Sequence, residues 1–197
     1  MNVVSPLEAY QQAIDEQGFK PDAAQLKAVR LLQECYVALH ESKHQSPIKG
    51  VYLWGPVGRG KTWLMDRFYE SLKVPARRQH FHHFMRWVHI RLFQLTGTAN
   101  PLRALARELS QEVRVLCFDE LFVSDIGDAI ILGGLLQVMF EEGVVLVSTS
   151  NQPPEQLYAD GFNRQRLVPA IDAINREMTV VSVDGDRKST RLNSSHN

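Results

Sequence analysis

The spacing of apolar residues between residues 5 and 40 predicts helices. Apolar side chains recur there at intervals of three and four, as on one face of an amphipathic helix. Pro21 and Asp22 predict the start of a second helix, and Ser46-Pro47 predicts where it is broken. We therefore expect residues 1–47 to form an N-terminal helical segment, whose apolar positions are Ala9, Ile14, Leu26, Val29, Leu32, Tyr36 and Leu39.

The rest of the chain alternates short apolar runs with stretches of helical periodicity. Runs of strand length fall at residues 50–55, 79–81, 113–118, 144–148 and 179–183. Strands that alternate with helices are typical of an α/β fold, in which a parallel sheet is flanked by helices. We expect this core to span residues 48–185. Residues 186–197 are polar and aperiodic, and they predict a disordered tail.

Composition narrows the class of protein without identifying it. The 197 residues are 44% apolar and 22% charged, which is ordinary for one soluble globular domain. Basic and acidic residues number 22 each, so no net charge attracts nucleic acid or an anionic membrane. Cys35 and Cys117 lie far apart and predict reduced core thiols. No signal-peptide pattern and no apolar run of roughly 18 residues is present, so we expect a cytoplasmic protein without a transmembrane segment.

Residues 55–62 carry a phosphate-binding pattern. They read Gly-Pro-Val-Gly-Arg-Gly-Lys-Thr and match G-x-x-x-x-G-K-[ST] between a predicted strand and a predicted helix. Glycines let backbone N–H groups approach phosphate oxygens, the lysine reaches the β- and γ-phosphates, and the threonine hydroxyl coordinates Mg²⁺. The alternative is a simple glycine turn before a helix. The pattern predicts a P-loop that binds ATP with Mg²⁺ through Gly55, Pro56, Val57, Gly58, Arg59, Gly60, Lys61 and Thr62.

Polar residues follow two of the later apolar runs. Asp119 and Glu120 come directly after 113–118, at the sheet edge where open α/β sheets bind ligands. We expect Asp119 to hold Mg²⁺ through water, together with Thr62, and Glu120 to polarise the attacking water, which favours a hydrolase over a kinase. Asn151 follows the run at 144–148 and either senses the γ-phosphate and orients water or caps the next helix.

Three further groups of basic residues have a functional and a plainer interpretation. Arg164 or Arg166 is a candidate arginine finger for a neighbouring subunit, or both are solvated surface charges. The histidines at 80, 82 and 83 have no acidic or cysteine partner nearby in the sequence, which argues against a metal site. A basic and aromatic neighbourhood either serves a nucleic-acid or protein partner or is a solvated helix face; it comprises Arg77, Arg78, Arg86, His89 and Arg91.

Several segments beyond the P-loop carry a resemblance to a known family. They are His-Phe-His-His-Phe-Met at 80–85, Leu-Cys-Phe-Asp-Glu at 116–120, Ser-Asp-Ile-Gly-Asp-Ala at 124–129, Thr-Ser-Asn at 149–151 and Gly-Phe-Asn-Arg at 161–164. Over residues 6–185 the chain resembles the ZapE family of AAA+ ATPases. The resemblance implies an AAA+ fold, ATP and Mg²⁺ at Lys61 and Thr62, a Walker B pair at Asp119 and Glu120, a sensor at Asn151 and a finger at Arg164.

The same resemblance implies a partner and a longer chain. Family members remodel FtsZ polymers in cell division, which implies a homo-oligomer that acts on a protein polymer. They also continue past residue 185 into a helical lid, whereas residues 186–197 match the translation of a common sequencing-library adapter. We therefore expect a C-terminally truncated chain with an artefactual tail, weakened ATP binding and little turnover.

Two other functions stay open on the sequence. One is a nucleic-acid motor or loader of the same superfamily, and the other is an inactive nucleotide-binding fragment. The balanced charge and the lack of a long basic stripe favour the protein partner and disfavour nucleic acid.

Overall fold

The computed structural model describes residues 4–20, 22–41, 47–58 and 60–184, which contain five strands and seven α-helices. The strands are β1 (Gly50–Trp54), β2 (Ala76–His80), β3 (Val115–Asp119), β4 (Val145–Ser150) and β5 (Met178–Ser182). The helices are α1 (Pro6–Gln17), α2 (Ala23–His40), α3 (Lys61–Ser71), α4 (Phe81–Gln94), α5 (Pro101–Glu112), α6 (Ile126–Glu141) and α7 (Val168–Glu177). Two short 3-10 helices, Pro154–Gln156 and Arg164–Arg166, lie between β4 and α7.

The sheet confirms the predicted α/β fold. Its strand order is β2-β3-β4-β1-β5, and each neighbouring pair is parallel. Because the strands are parallel, their carboxyl ends meet at one edge. The order places β4 between β1, which leads into the P-loop, and β3, which ends in Asp119.

Helices cover both faces of this sheet, and the strands alternate accordingly. Val115 and Cys117 of β3 belong to an apolar cluster with residues of α1, α2 and α3. Leu116 and Phe118 belong to a second cluster with residues of α4, α5, α6 and α7. Successive side chains of a strand point to opposite faces, so one short run supplies both cores. The N-terminal helices thus share a core with the sheet, while the domain boundary near residue 47 stays a prediction.

The N-terminal helices begin where their sequence caps them. Ser5 Oγ accepts a hydrogen bond from the N–H of Glu8 (3.3 Å), and Asp22 Oδ1 accepts one from Ala24 (2.8 Å). Such side chains satisfy N–H groups that the first turn leaves without a partner. Pro21 of the predicted helix start, Ser46 of the predicted helix break and the tail predicted for 186–197 lie outside the described residues.

The bounds of β2 differ from those predicted. The strand is Ala76–His80 rather than 79–81, and Phe81 is the first residue of α4. β2 is an edge strand of polar, half-buried residues, so it has no apolar run by which to recognise it. His80 and His82 therefore do not share a strand face. Instead, His80 Nδ1 caps α4 by accepting a hydrogen bond from the N–H of His82 (3.2 Å).

Both cysteines are buried free thiols, as predicted. Burial raises the pKa of Cys35 to about 12 and also raises the pKa of the Cys117 thiol. Such thiols are unreactive because the thiolate is the nucleophile. Within the described residues, no helix is both long and apolar enough to cross a bilayer.

Candidate active site

The P-loop connects β1 to α3 with a backbone that only glycine adopts readily. Gly58 and Gly60 have φ angles of 84° and 83°, in the left-handed region. Gly60 is the N-cap of α3, so the first N–H groups of the helix open onto the loop. A cavity of about 160 Å³ lies there, lined by Val57, Gly58, Gly60, Lys61 and Thr62 among others. Arg59 lies outside the described residues, and its contact with phosphate stays a prediction.

Lys61 begins α3 and points its ammonium group into this loop. Its side chain is engaged by three acceptors: the carbonyl of Gly55, the carbonyl of Pro56 at 2.9 Å and Asn151 Oδ1 at 3.1 Å. The residue is only 8% exposed. Burial lowers the pKa of Lys61, while the carboxylates of Glu120 and Asp184 act in the opposite direction. A phosphate is an acceptor of the kind that this ammonium already uses.

Asp119 ends β3 with both carboxylate oxygens engaged. Thr149 Oγ1 donates to Oδ1 at 3.2 Å, and Arg78 Nη2 lies 3.2 Å from Oδ2. Thr62, in the first turn of α3, lines the P-loop cavity and exposes its side chain. Hydroxyl and carboxylate oxygens are the ligands that Mg²⁺ takes in nucleotide sites, so the two residues fit the predicted ion.

Glu120 has a backbone conformation that is rare outside glycine. Its φ is 55°, and two hydrogen bonds to Thr149 of β4 hold it: Glu120 N–H to Oγ1 at 2.9 Å, and Leu121 N–H to the carbonyl at 2.8 Å. Such strain persists only where the surroundings determine it. The Glu120 side chain is 69% exposed, and its Oε2 lies 2.9 Å from His80 Nε2. Glu120 thus lies at the edge of the P-loop cavity.

Asn151 follows β4 and lies beside Lys61. Its Oδ1 accepts a hydrogen bond from Lys61 Nζ at 3.1 Å, and it lines the P-loop cavity together with Glu120. The capping alternative is wrong, because the next 3-10 helix begins at Pro154 with no side-chain cap. Asn151 and Glu120 also line an adjoining cleft of about 560 Å³, with His80, Phe122 and Gln152.

The two candidate finger residues differ in their surroundings. Arg164 donates from its guanidinium to the carbonyls of Glu155 and Leu157, the latter at 3.2 Å. It thereby joins the two 3-10 helices. Arg166 exposes its side chain. Neither arginine is among the described residues that line the P-loop cavity or the adjoining cleft of its own chain.

The basic neighbourhood of α4 and β2 is largely neutralised within the chain. Four of its five members contact carboxylates: Arg77 with Glu112, Arg78 with Asp66 and Asp119, His89 with Asp128, and Arg91 with Glu108. The remaining member, Arg86, lies 3.5 Å from His82 Nε2. No group of histidine, cysteine or acidic residues suited to a metal ion occurs among the described residues. The structure thus favours the plainer interpretation of this neighbourhood.

Sequence reasoning assigned no role to several residues beside the site. Thr149 bonds both Asp119 and Glu120, Arg78 contacts Asp119, and His80 contacts Glu120. Gln25 of α2 lies against Gly60, since a Cβ built on that glycine would meet Gln25 Nε2 at 2.8 Å. These residues are identified by contacts between elements that are distant in the sequence, and the spacing of residues along the chain does not predict such contacts.

These features define a P-loop protein of the AAA+ type: a parallel sheet flanked by helices, with a glycine loop, an acidic strand end and a polar amide, Asn151, at one edge. A family model described as AFG1-like ATPase matches residues 4–196, and the chain belongs to that family. Solved structures agree on the fold. DnaI superposes with a TM-score of 0.61 at 23% identity, covering 84% of each chain. AMPPCP-bound DnaA from Aquifex aeolicus superposes at 0.58 and 14% identity, covering 84% of this chain and 48% of that one.

Curated relatives are more similar in sequence. "Cell division protein ZapE" of Escherichia coli K12 is 43% identical over 209 residues, covering 93% of this chain and 56% of the relative. "Lactation elevated protein 1 homolog B" of Danio rerio is 39% identical over 156 residues, covering 73% of this chain and 31% of the relative. The chain therefore spans about half the length of the ZapE relatives that it matches.

Proposed function

We propose that this protein binds Mg-ATP and hydrolyses it to ADP, with release of the γ-phosphate as inorganic phosphate. The observation that carries the proposal is the meeting of three strand ends at one edge of the sheet. β1 supplies the P-loop with Lys61, β3 supplies Asp119 and Glu120, and the neighbouring β4 supplies Asn151. Membership of the AFG1-like ATPase family supports the same activity.

Each residue has a task that fits its surroundings. The backbone of residues 55–62 and the start of α3 bind the phosphates, with Lys61 exchanging its carbonyl and amide acceptors for phosphate oxygens. Thr62 and Asp119 would hold Mg²⁺, which when bound neutralises charge on the β- and γ-phosphates. Glu120 polarises the attacking water, and Asn151, released by Lys61, orients that water or contacts the γ-phosphate.

A homo-oligomer would complete this site with an arginine from a neighbouring copy. Neutralising the transition-state charge by such a finger accelerates phosphoryl transfer strongly. Arg164 is the residue that the family resemblance implies, and the exposed Arg166 is two residues away. Arg164→Ala and Arg166→Ala separate them. The variant that lacks the finger should lose turnover and keep its affinity for ATP. Mixing it with Glu120→Gln subunits should restore some turnover, because one variant supplies an intact Glu120 and the other an intact arginine.

The partner we propose is a protein polymer of cell division, FtsZ, in the cytoplasm. The name of the Escherichia coli relative, a cell division protein, supports the process. Nucleic acid is disfavoured because the basic residues of α4 and β2 are mostly paired with carboxylates of the same chain. Sedimentation of purified FtsZ polymers tests the proposal. ATP-dependent change in pelleted FtsZ supports it, and salt-sensitive binding to single-stranded DNA without any effect on FtsZ contradicts it.

Steady-state phosphate release tests the activity itself. Wild-type protein should release phosphate slowly with Mg-ATP, in line with the little turnover expected from the sequence, and Glu120→Gln should abolish that turnover while it retains nucleotide binding. Glu16→Gln makes the same chemical change on the exposed face of α1 and serves as the control. A version extended toward the full length of the ZapE relatives tests the predicted truncation. Turnover that survives in Glu120→Gln would show that the catalytic assignment is wrong.

A further inference from the structure

Arg78 of β2 contacts two carboxylates beside the P-loop. Its guanidinium forms an ion pair with Asp66 of α3, and its Nη2 lies 3.2 Å from Asp119 Oδ2. The three side chains are 21% to 28% exposed, so water and salt screen these pairs less than pairs on the open surface. A cation of the protein itself therefore sits at the carboxylate assigned to magnesium.

The Arg78 guanidinium and Mg²⁺ would both bind the carboxylate of Asp119. Oδ1 accepts a hydrogen bond from Thr149, which leaves Oδ2 as the oxygen that Arg78 and a metal or its bound water would share. Mg²⁺ requires ligands in near-ideal octahedral positions, and a guanidinium 3.2 Å from the same oxygen repels the ion. Asp66 offers Arg78 a second carboxylate, so the guanidinium can leave Asp119 without losing every ionic contact.

We propose that Arg78 is a positioning residue that holds Asp119 by its Oδ2 and competes with Mg²⁺ for that oxygen, while Asp66 retains the guanidinium when the metal binds. The inference rests on the proposed function, because it assumes that Mg-nucleotide binds at the P-loop. It adds that the amount by which Mg²⁺ increases nucleotide affinity depends on whether the Arg78 guanidinium pairs with Asp66 or with Asp119.

Two substitutions should act in opposite directions. Arg78→Met removes the competing cation and leaves Asp66 and Asp119 without a counter-charge, so Mg²⁺ should add more to nucleotide affinity. Asp66→Asn removes the alternative partner and concentrates the guanidinium on Asp119, so Mg²⁺ should add less. A merely structural role for Arg78 predicts a loss of stability in both variants and no opposed change in metal dependence.

The measurement is the ratio of dissociation constants of a fluorescent ATP analogue in EDTA and in saturating Mg²⁺. This ratio is the coupling between metal and nucleotide, and general losses of phosphate affinity cancel from it. We expect it to rise by about three- to tenfold in Arg78→Met and to fall by about as much in Asp66→Asn, as for a partly screened ion pair. Arg77→Met, whose guanidinium pairs with Glu112, is the matched control and should leave the ratio unchanged.

A second measurement needs no nucleotide. Mg²⁺ alone should raise the melting temperature of Arg78→Met, because two neighbouring carboxylates then lack their cation, and should raise that of the wild type less. The proposal is overturned if the ratio of dissociation constants changes in the same direction in both variants, or changes in neither. If Arg78→Met does not fold, the ratio in Asp66→Asn alone is the test. If wild-type protein binds no analogue with or without Mg²⁺, the proposed function fails instead, and the metal-induced stabilisation of Arg78→Met remains as the test.

Discussion

His80 Nε2 donates a hydrogen bond to Glu120 Oε2 at 2.9 Å, which joins the end of β2 to the residue that we assign as the activator of water. The tautomer follows from the other ring nitrogen, since Nδ1 accepts from the N–H of His82 and Nε2 must carry the proton. The contact holds the Glu120 carboxylate toward the end of β2.

His80→Ala should therefore raise basal phosphate release. Without the histidine, the Glu120 carboxylate is free to turn toward Asn151, and we expect a gain of about two- to fivefold from one lost hydrogen bond. Affinity for a fluorescent ATP analogue should stay constant. His82→Ala, on the exposed face of α4, is the control. A fall in turnover would mean that His80 orients Glu120 for attack rather than restraining it.

Thr149 is the residue on which the geometry of both acidic residues depends. It is 1% exposed, donates to Asp119 and accepts from the N–H of Glu120. Thr149→Val keeps the shape but leaves that N–H without its acceptor, and should lower the free energy of unfolding by about 1–3 kcal/mol. Turnover should fall by about tenfold or more because Glu120 loses its position.

Urea denaturation and phosphate release measure the two effects of Thr149→Val. Thr179→Val makes the same change on β5, at a partly exposed position, and should be nearly neutral in both assays. Equal effects of the two substitutions would show that loss of a sheet hydroxyl, rather than the position of Glu120, is responsible.

The contrast between Thr149 and the P-loop shows what sequence can predict here. The left-handed Gly58 and Gly60 follow from a local motif, and so does the placement of Asp119 at a strand end. The roles of Thr149, Arg78 and His80 depend instead on the order β2-β3-β4, which brings together residues that are 29 to 41 positions apart. Periodicity reports which face of an element is apolar, and it carries no information about which strands become neighbours.

β2 illustrates the same limit from the opposite direction. Strands of the interior, such as β3 and β4, are recognisable because both of their faces are buried and they read as apolar runs. β2 lies at the edge and consists of Ala-Arg-Arg-Gln-His, all partly exposed. In the sequence its arginines resemble a solvated surface, although in the structure they form ion pairs with Asp66, Asp119 and Glu112.

Gly60 should tolerate no side chain, for two separable reasons. Its φ of 83° costs alanine about 1–2 kcal/mol, and a Cβ would also meet Gln25 Nε2 at 2.8 Å. Gly60→Ala should therefore abolish measurable binding of the ATP analogue as well as lower the melting temperature. Gly18, with a φ of 69° and nothing within 4 Å of the built Cβ, is the matched control for strain alone.

Adding Gln25→Ala tests the second reason. If contact with α2 contributes to the defect, Gly60→Ala with Gln25→Ala should recover part of the melting temperature, because the far end of a flexible side chain has been removed. If the double variant melts no higher than Gly60→Ala, backbone strain accounts for the whole loss, and the N-terminal helices do not constrain the loop through Gln25.

The buried ammonium group of Lys61 should lower the free energy of unfolding, although the proposed nucleotide binding requires this residue. Burial lowers its pKa below the ordinary value of 10.5, so in the range between the lowered and the ordinary value the unfolded chain binds more protons than the folded one. Stability conferred by this residue therefore rises with pH across that range, and the cost of burying the charge is complete below it.

We expect Lys61→Met to raise the free energy of unfolding by about 1 kcal/mol near neutral pH and to abolish nucleotide binding. Urea denaturation at about pH 7 and about pH 9.5 should show this advantage shrinking as pH rises, whereas Lys27→Met, at an exposed position of α2, should show no such trend. An advantage that grows with pH would contradict the sign of the shift and would mean that the carboxylates of Glu120 and Asp184 outweigh the burial of Lys61.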